Sequence, residues 1–370
     1  MIHRILAADL PKHVGHRVRI AGWLHRRREL KSLSFLVIRD RSGLAQVIQR
    51  PAPCSHEPVP RTHGPAPQAH ETAPYPEETV LEITGTVVAN PQAPGGAELA
   101  DPEIEVLAEA VEPPPFDLYR PTVPATLPTI LDHAPVALRH PRLRAPFEIA
   151  AAGVTGFRTV LDGLGFTETQ TPKIVGTATE SGANVFGIDY FGRPAFLAQS
   201  PQFFKQALVG VFERVYEVGP VFRAEPHDTA RHLAQYTSLD AELGFILDHR
   251  DVMAVLTRAL AGMHAAAAER AGEALALLEV ELPEVPEEIP AIHFADAQEL
   301  LARHTDYLTA LAARGEDPRA YAGYLAAFAH GMPPHGGFAI GLERWTSRLT
   351  GAPNVRQTTL FPRDLHRLTP

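Results

Sequence analysis

Between residues 17 and 50, apolar and polar positions alternate in three short runs, RVRIAGWLH, FLVIRD and LAQVIQ, with a Ser-Gly turn between the second and third. Two more such runs follow, TVLEITGTVVA and EIEVLAEAV. A period of two, bounded by turn residues, predicts strands, and a series of five predicts a small closed barrel of the oligonucleotide-binding type over residues 1–112. Residues 51–77 interrupt the series with Pro, His and Ala and have no period, so they read as an insertion in the barrel.

Pro113, Pro114 and Pro115, followed by PTVPATLPTILDHAP, predict a hinge over 113–135 that is neither a regular helix nor an inner strand. Beyond it the period changes. Phe147, Ala150, Val154, Phe157, Val160, Leu161 and Leu164 recur at helical spacing and predict one amphipathic helix over 146–164, stopped by Gly165. FTETQTPKIV then reads as a strand. VYEVGPVFRAE and TSLDAELGFI alternate as a pair of antiparallel strands joined by the polar loop 226–232. A helix over 251–278 and a strand and helix over 338–349 complete the pattern. Residues 136–370 are therefore expected to form an α+β domain, an antiparallel sheet flanked by helices.

Composition narrows the setting. Hydrophobic residues make up 45% of the 370, but no apolar run is long enough to span a membrane. The start, MIHRILAADLPKH, lacks the basic-then-apolar pattern of a secretion signal, and Cys54 is the only cysteine, so a soluble, cytoplasmic, disulfide-free chain is expected. A net charge of -9 argues against coating nucleic acid by bulk electrostatics. Locally the balance reverses: His25, Arg26, Arg27, Arg28 and Lys31 cluster in the barrel beside Trp23 and Phe35. Basic side chains beside aromatic ones suit single-stranded nucleic acid.

The chemistry is concentrated in two segments, FRAEPHDTARHLAQYTSLDAE from Phe222 and GGFAIGLERW from Gly336. Arginine binds phosphate oxygens in pairs and keeps its charge, so Arg223 in the first and Arg344 after the glycine-rich strand suit a nucleotide triphosphate. Lysine is scarce, limited to Lys12, Lys31, Lys173 and Lys205.

Taken in order, these segments resemble the archaeal-type aspartyl-tRNA synthetases within class II. RHPRLRAPF with TPKIV resembles that family's first motif, FRAE through DAE the second and GFAIGLER the third; TATESGA, FLAQSPQFFKQ, HGMPPHGG and LFPRDLHRLTP match as well. The resemblance implies a homodimer paired through the long helix, with ATP, aspartate and tRNA as substrates. It implies that Arg223 holds the α-phosphate, Arg231 and His232 the outer phosphates and Arg344 the adenine and γ-phosphate side, with Phe222 and Glu225 framing the nucleotide. Glu180, Gln199 and Lys205 would hold the amino acid, with Lys205 on its side-chain carboxylate. His25, Arg26, Phe35 and Gln46 would read the anticodon. His25, and Pro91 followed by Gln92, depart from strictly tRNA(Asp) members, which points to tRNA(Asn) as a second acceptor. Other departures are Ala339 for a motif glycine, Asn184 where an acid is common and Gln235 for a glutamate.

The largest departure is a missing block. IPAIHFADAQELLARH passes almost directly into YLTALAARGEDPRAYAGYLAAFAHGMPPHGG, without the acidic strand and Ser-Gly-Gly-Gln-Arg-Glu-like segment that the family carries between them. Magnesium is expected from the family, but the block would supply its usual ligands and an arginine for the aspartate side chain, so no metal ligands are assigned. Two alternatives follow: a catalytically impaired paralogue that binds tRNA or nucleotide, and aspartate activation for a non-tRNA acceptor such as ammonia.

Overall fold

The computed structural model describes residues 3–30, 33–49, 75–177, 184–287 and 322–368. The chain divides into two compact units, Met1–Ala125 and Thr126–Pro370.

In the first unit, β1 (Arg17–Glu29), β2 (Ser34–Asp40), β3 (Gly43–Gln49), β4 (Val80–Ala89) and β5 (Ala97–Ala108) close into a barrel of order β1-β2-β3-β5-β4. The expected five-stranded barrel is present. Alternation sends Val18, Ile20, Leu24, Leu36, Ile38, Val47, Leu81 and Ile83 into the core, each under 5% exposed, and each such side chain contributes about 1.5–3 kcal/mol. A bulge between Leu24 and Arg26 breaks the β1–β2 register. Beyond it Arg26 pairs with Val37 and Arg28 with Phe35, which keeps both arginines on the outer face with Trp23.

The second unit begins with α1 (Leu127–Asp132) and α2 (Ala134–Ala137), which lie largely within the segment expected to exclude helix. Pro128 and Pro135 occupy first-turn positions, where the missing N–H has no intrahelical partner to lose. The long helix α3 spans Pro141–Gly163 and starts five residues before the periodic stretch, because Pro141 opens it. FTETQTPKIV forms two short strands, β6 (Thr167–Glu168) and β7 (Ile174–Val175), rather than one. β8 (Gly187–Tyr190) and β9 (Arg193–Leu197) make a small sheet with β7. After α4 (Gln202–Phe212) come β10 (Arg214–Phe222) and β11 (Gln235–Gly244). The single helix expected over 251–278 is two, α5 (His249–Arg270) and α6 (Gly272–Leu278), parted at Ala271. α7 (Ala322–Ala329), β12 (His335–Gly341) and α8 (Leu342–Thr350) follow.

The main sheet runs β12-β11-β10-β6, antiparallel except for the β6–β10 pair. One face packs on α3 and α5 through Tyr216, Leu239, Ala241, Leu243, Phe157, Val255 and Met263. The two helices cross closely at Gly156 and Gly262: a Cβ on Gly156 would stand 2.3 Å from the Gly262 carbonyl oxygen. Among the described residues, no helix is long and apolar enough to cross a membrane.

Candidate active site

The opposite face of the sheet carries the chemistry, and strand register explains why. On β11 the odd positions Leu239, Ala241 and Leu243 enter the core, so Ser238, Asp240 and Glu242 share the other face. Their β12 partners are Gly341, Ala339 and Gly337. GGFAIG thus alternates large residues toward the helices with small ones toward the site. A Cβ on Gly337 would lie 2.2 Å from the Glu242 carboxylate, so the strand has no room for a side chain there.

Over this floor lies a cavity of about 480 Å³ lined by Arg223, Glu225, His227, Arg231, His232, Tyr236, Ser238, Ala339, Gly341, Glu343 and Arg344. Arg223 and Arg344, predicted from separate segments, face the same space. The Arg223 guanidinium stands 5.8 Å from the Tyr236 ring centroid, and the Arg344 Nη2 and Nε donate to the Arg231 carbonyl at 3.1 and 3.3 Å. Glu225, Arg231 and His232 also line the cavity, but Phe222 does not. Phe222 closes the β10–β11 ladder opposite Gln235 and donates its N–H to the Ala198 carbonyl.

The loop joining β10 to β11 is fastened from behind by Arg356, which the sequence did not single out, and by the terminal segment that it did. Arg356 donates to Asp228 at 2.7 Å, to the Thr229 carbonyl at 3.2 Å and to Asp364 at 2.5 Å. Burial opposes ionisation of the Asp364 carboxyl, but the Arg356 guanidinium and the backbone N–H groups of His366 and Arg367 together hold it below the usual carboxylate range. Val355 N–H to Ala230 and Ala234 N–H to Arg363 complete the anchor. Glu343 accepts the Thr237 N–H at 3.0 and 3.1 Å, and burial pushes its carboxyl up.

Farther along the same face, Lys205 from α4 is 4% exposed and lies 3.1 Å from Asp240 and 3.3 Å from Glu242. Burial raises the Glu242 carboxyl, with the lysine opposing that shift. Among the described residues Lys205 donates one hydrogen bond, to Asp240 Oδ1, while Asp240 Oδ2 and Glu242 Oε2 are buried without a hydrogen-bond partner. A second pair lies alongside, because Glu217 is the register partner of Asp240 and meets Lys173 at 2.6 Å. This pair was missed, although a glutamate inside VYEVGPVF and the scarcity of lysine both signalled it. Gln199 is fully buried just ahead of α4. Glu180 lies outside the described residues.

On the barrel, register sets Arg28, Phe35 and Ile48 in one row and Arg26, Val37 and Gln46 in the next, on one outer face. Arg26 meets Glu77 at 3.2 Å, and Gln46 donates to Glu98 at 2.7 Å. His25 does not join them. It is the extra residue of the bulge, 5% exposed, with its ring 3.1 Å from Arg39 Nη1 and tilted on Tyr119. Arg39 in turn forms a bidentate pair with Glu78 at 2.7 and 2.9 Å.

Among the described residues, no three His, Cys, Asp or Glu side chains converge on a metal position. Asp240 and Glu242 already face the Lys205 ammonium, which would compete with a cation, so these residues do not fit a magnesium site.

An antiparallel floor carrying convergent arginines, together with a five-stranded barrel, defines a tRNA synthetase of the second structural class. The family profile described as tRNA synthetases class II (D, K and N) matches residues 127–307 and 301–365, and the OB-fold nucleic acid binding domain profile matches 18–114. The chain belongs to the class II tRNA synthetases of the D, K and N group. It is 38% identical to the Aspartate–tRNA(Asp/Asn) ligase of Thermus thermophilus, over 99% of this chain and 100% of that protein. It is 36% identical to the enzyme of the same name from Deinococcus radiodurans, over 100% and 99%. The fold also matches asparaginyl-tRNA synthetase of Pyrococcus horikoshii complexed with asparaginyl-adenylate, with a TM-score of 0.86, 23% identity and both chains fully covered. The catalytic profile restarts at 301–307, where the missing block was placed, and the Thermus alignment extends over 445 positions against 370 residues here.

Proposed function

We propose that the chain is an aspartate–tRNA ligase that uses ATP to activate aspartate and charges both tRNA(Asp) and tRNA(Asn). Convergence of Arg223, Arg231 and Arg344 on one cavity, with the buried Lys205 ammonium on the same sheet face, carries this assignment. The aspartate α-carboxylate attacks the α-phosphorus, the bond to the bridging oxygen breaks, and pyrophosphate leaves. A ribose hydroxyl at the tRNA 3′ end then attacks the acyl carbon, and AMP leaves. No protein nucleophile takes part. Arg223 neutralises the α-phosphate as charge develops, while Arg231, His232 and Arg344 hold the tail; positioning and fixed charge supply the rate.

Charge on the floor favours aspartate. Among the described residues, Glu217, Asp240 and Glu242 form ion pairs with two ammonium groups, those of Lys173 and Lys205. Such a floor attracts the substrate α-ammonium, with Glu180 and Gln199 completing the pocket. The Lys205 ammonium suits a side-chain carboxylate, which accepts a charge-assisted hydrogen bond from it, whereas an amide oxygen accepts a weaker one. On the barrel, Phe35 stacks on an anticodon base, Gln46 bonds it, and Arg26 serves the backbone. His25, turned inward, supports this face through Arg39. The subunits pair through α3 and the strand after it, and the protein works in the cytoplasm.

Charging of tRNA(Asp) and tRNA(Asn) transcripts with labelled aspartate tests the assignment. Both are expected to be charged. Charging of neither, or charging with asparagine instead, contradicts the function; charging of tRNA(Asp) alone removes the dual acceptor.

A further inference from the structure

The hairpin of β8 and β9 is closed by a residue that the turn disfavours. Tyr190 pairs with Arg193, so Phe191 and Gly192 form the turn between them, with positive φ at both, 53° and 77°. A turn of this kind favours Asn-Gly, because a bulky side chain is strained in the left-handed region. Phe191 gains little packing in return, since it is 88% exposed. The tip is nevertheless held. Asp189 accepts the Gly192 N–H at 2.7 Å, the Phe191 ring meets the Tyr190 ring edge-on with centroids 4.9 Å apart, and the Arg193 guanidinium stands 5.9 Å from the Tyr190 centroid. A strained, fixed and exposed aromatic costs stability, which points to a ligand that covers it.

Register extends the feature toward the nucleotide cavity. Ile188 pairs with Ala195, and Leu197 donates its N–H to the Phe186 carbonyl, so Phe186 and Tyr190 stand with Arg193 on one face of the hairpin. Both rings are partly exposed. At the base, the Ala224 N–H donates to the Asn184 carbonyl at 3.0 Å, between Arg223 and Glu225 of the cavity lining. From Arg193 along β9 to Gln199 the chain advances at most about 20 Å, at about 3.3 Å per residue. Aromatic faces in a row beside a guanidinium suit unpaired nucleotides, whose bases stack and whose phosphates supply the counter-charge. We propose that this hairpin is the platform for the unpaired 3′ end of tRNA, with bases stacking on Phe191, Tyr190 and Phe186 and with Arg193 on the backbone. This rests on the tRNA-charging function above and adds residues outside those assigned to tRNA there. A second copy of the chain is the competing occupant, because β9 pairs with β7, in the stretch through which the subunits are read as pairing.

Filter binding of the intact chain to tRNA(Asp), and to the same tRNA trimmed of its unpaired 3′ nucleotides, tests the platform without turnover. Phe191→Asn removes the ring while easing the turn, so a loss of binding cannot be a loss of fold. It should keep or raise Tm and weaken full-length tRNA about tenfold, whereas trimmed tRNA should bind the variant and the wild type alike. Arg193→Gln should reduce the salt dependence of binding. In charging, the KM for tRNA should rise about tenfold in Phe191→Asn, with pyrophosphate exchange in the absence of tRNA as the reference. Equal affinity of the variant and the wild type for full-length tRNA overturns the proposal, as does an equal loss on trimmed tRNA. A shift from dimer to monomer in sedimentation of Phe191→Asn assigns the tip to a second copy and also overturns it. Binding that depends on Phe191 and on the 3′ nucleotides in a chain that charges no tRNA would sustain the platform and sink the ligase. Charging with a tRNA KM that Phe191→Asn leaves unchanged would do the reverse.

Discussion

The barrel keeps Arg26, Arg28 and Phe35 on an outer face that water reaches, whereas the catalytic domain takes Lys205, Glu217, Asp240 and Glu242 almost wholly out of it and Lys173 most of the way. Solvated charge can be lost from the first at little expense to folding. Buried charge in the second is stable only while each member keeps its partner. Binding of a long, flexible anticodon needs the first kind of surface, and discrimination between a carboxylate and an amide needs the second. Substitutions in the two regions should therefore separate affinity from stability.

The largest effect is expected at Lys205. Lys205→Met leaves Asp240 and Glu242 buried without their cation, so denaturant unfolding should show a loss of about 3–5 kcal/mol, with aspartate-dependent exchange abolished. Arg223→Gln, at the cavity edge, should instead lower kcat in exchange by about 10²–10³ with unfolding nearly unchanged. A large stability loss there would erase the distinction between the floor and its rim. On the barrel, Phe35→Ala should weaken tRNA binding by about 1–3 kcal/mol, read by filter binding, and leave tRNA-independent exchange intact.

Arg356→Gln sharpens the contrast within the catalytic domain. It releases the loop carrying Arg231, and the KM for ATP in exchange should rise about tenfold while the KM for aspartate holds. The smallest expected effect is a slope. Burial raises the Glu242 carboxyl, so the folded chain retains a proton that the unfolded chain has lost, and stability falls as pH climbs from the ordinary value of 4.5 through the raised one. Tm measured from about pH 4 to 7 should decline less in Glu242→Gln than in the wild type.

Much of this was legible because strand alternation and motif order survive translation into space. Arg344 lies far in the sequence from Arg223, Arg231 and His232 yet shares a cavity with them, since Ser238 pairs with Gly341 across β11 and β12. The inward setting of His25 was not legible, because one inserted residue in β1 shifts the face on which its neighbours stand and no period of two reveals a bulge. Helices in the proline-rich stretch were missed because proline forbids a helix interior but favours its first turn. Glu217 and Lys173 were passed over because pairing across strands decides whether a charge is tolerated inside. The anchoring by Arg356 depends on long-range contacts that local sequence does not encode.

Amino-acid-dependent exchange of labelled pyrophosphate into ATP, run with aspartate and with asparagine on the intact chain, bears most directly on the central claim. Convergent arginines beside a buried lysine predict exchange with aspartate and about a hundredfold less with asparagine. Equal exchange with both, or none with either, would contradict it.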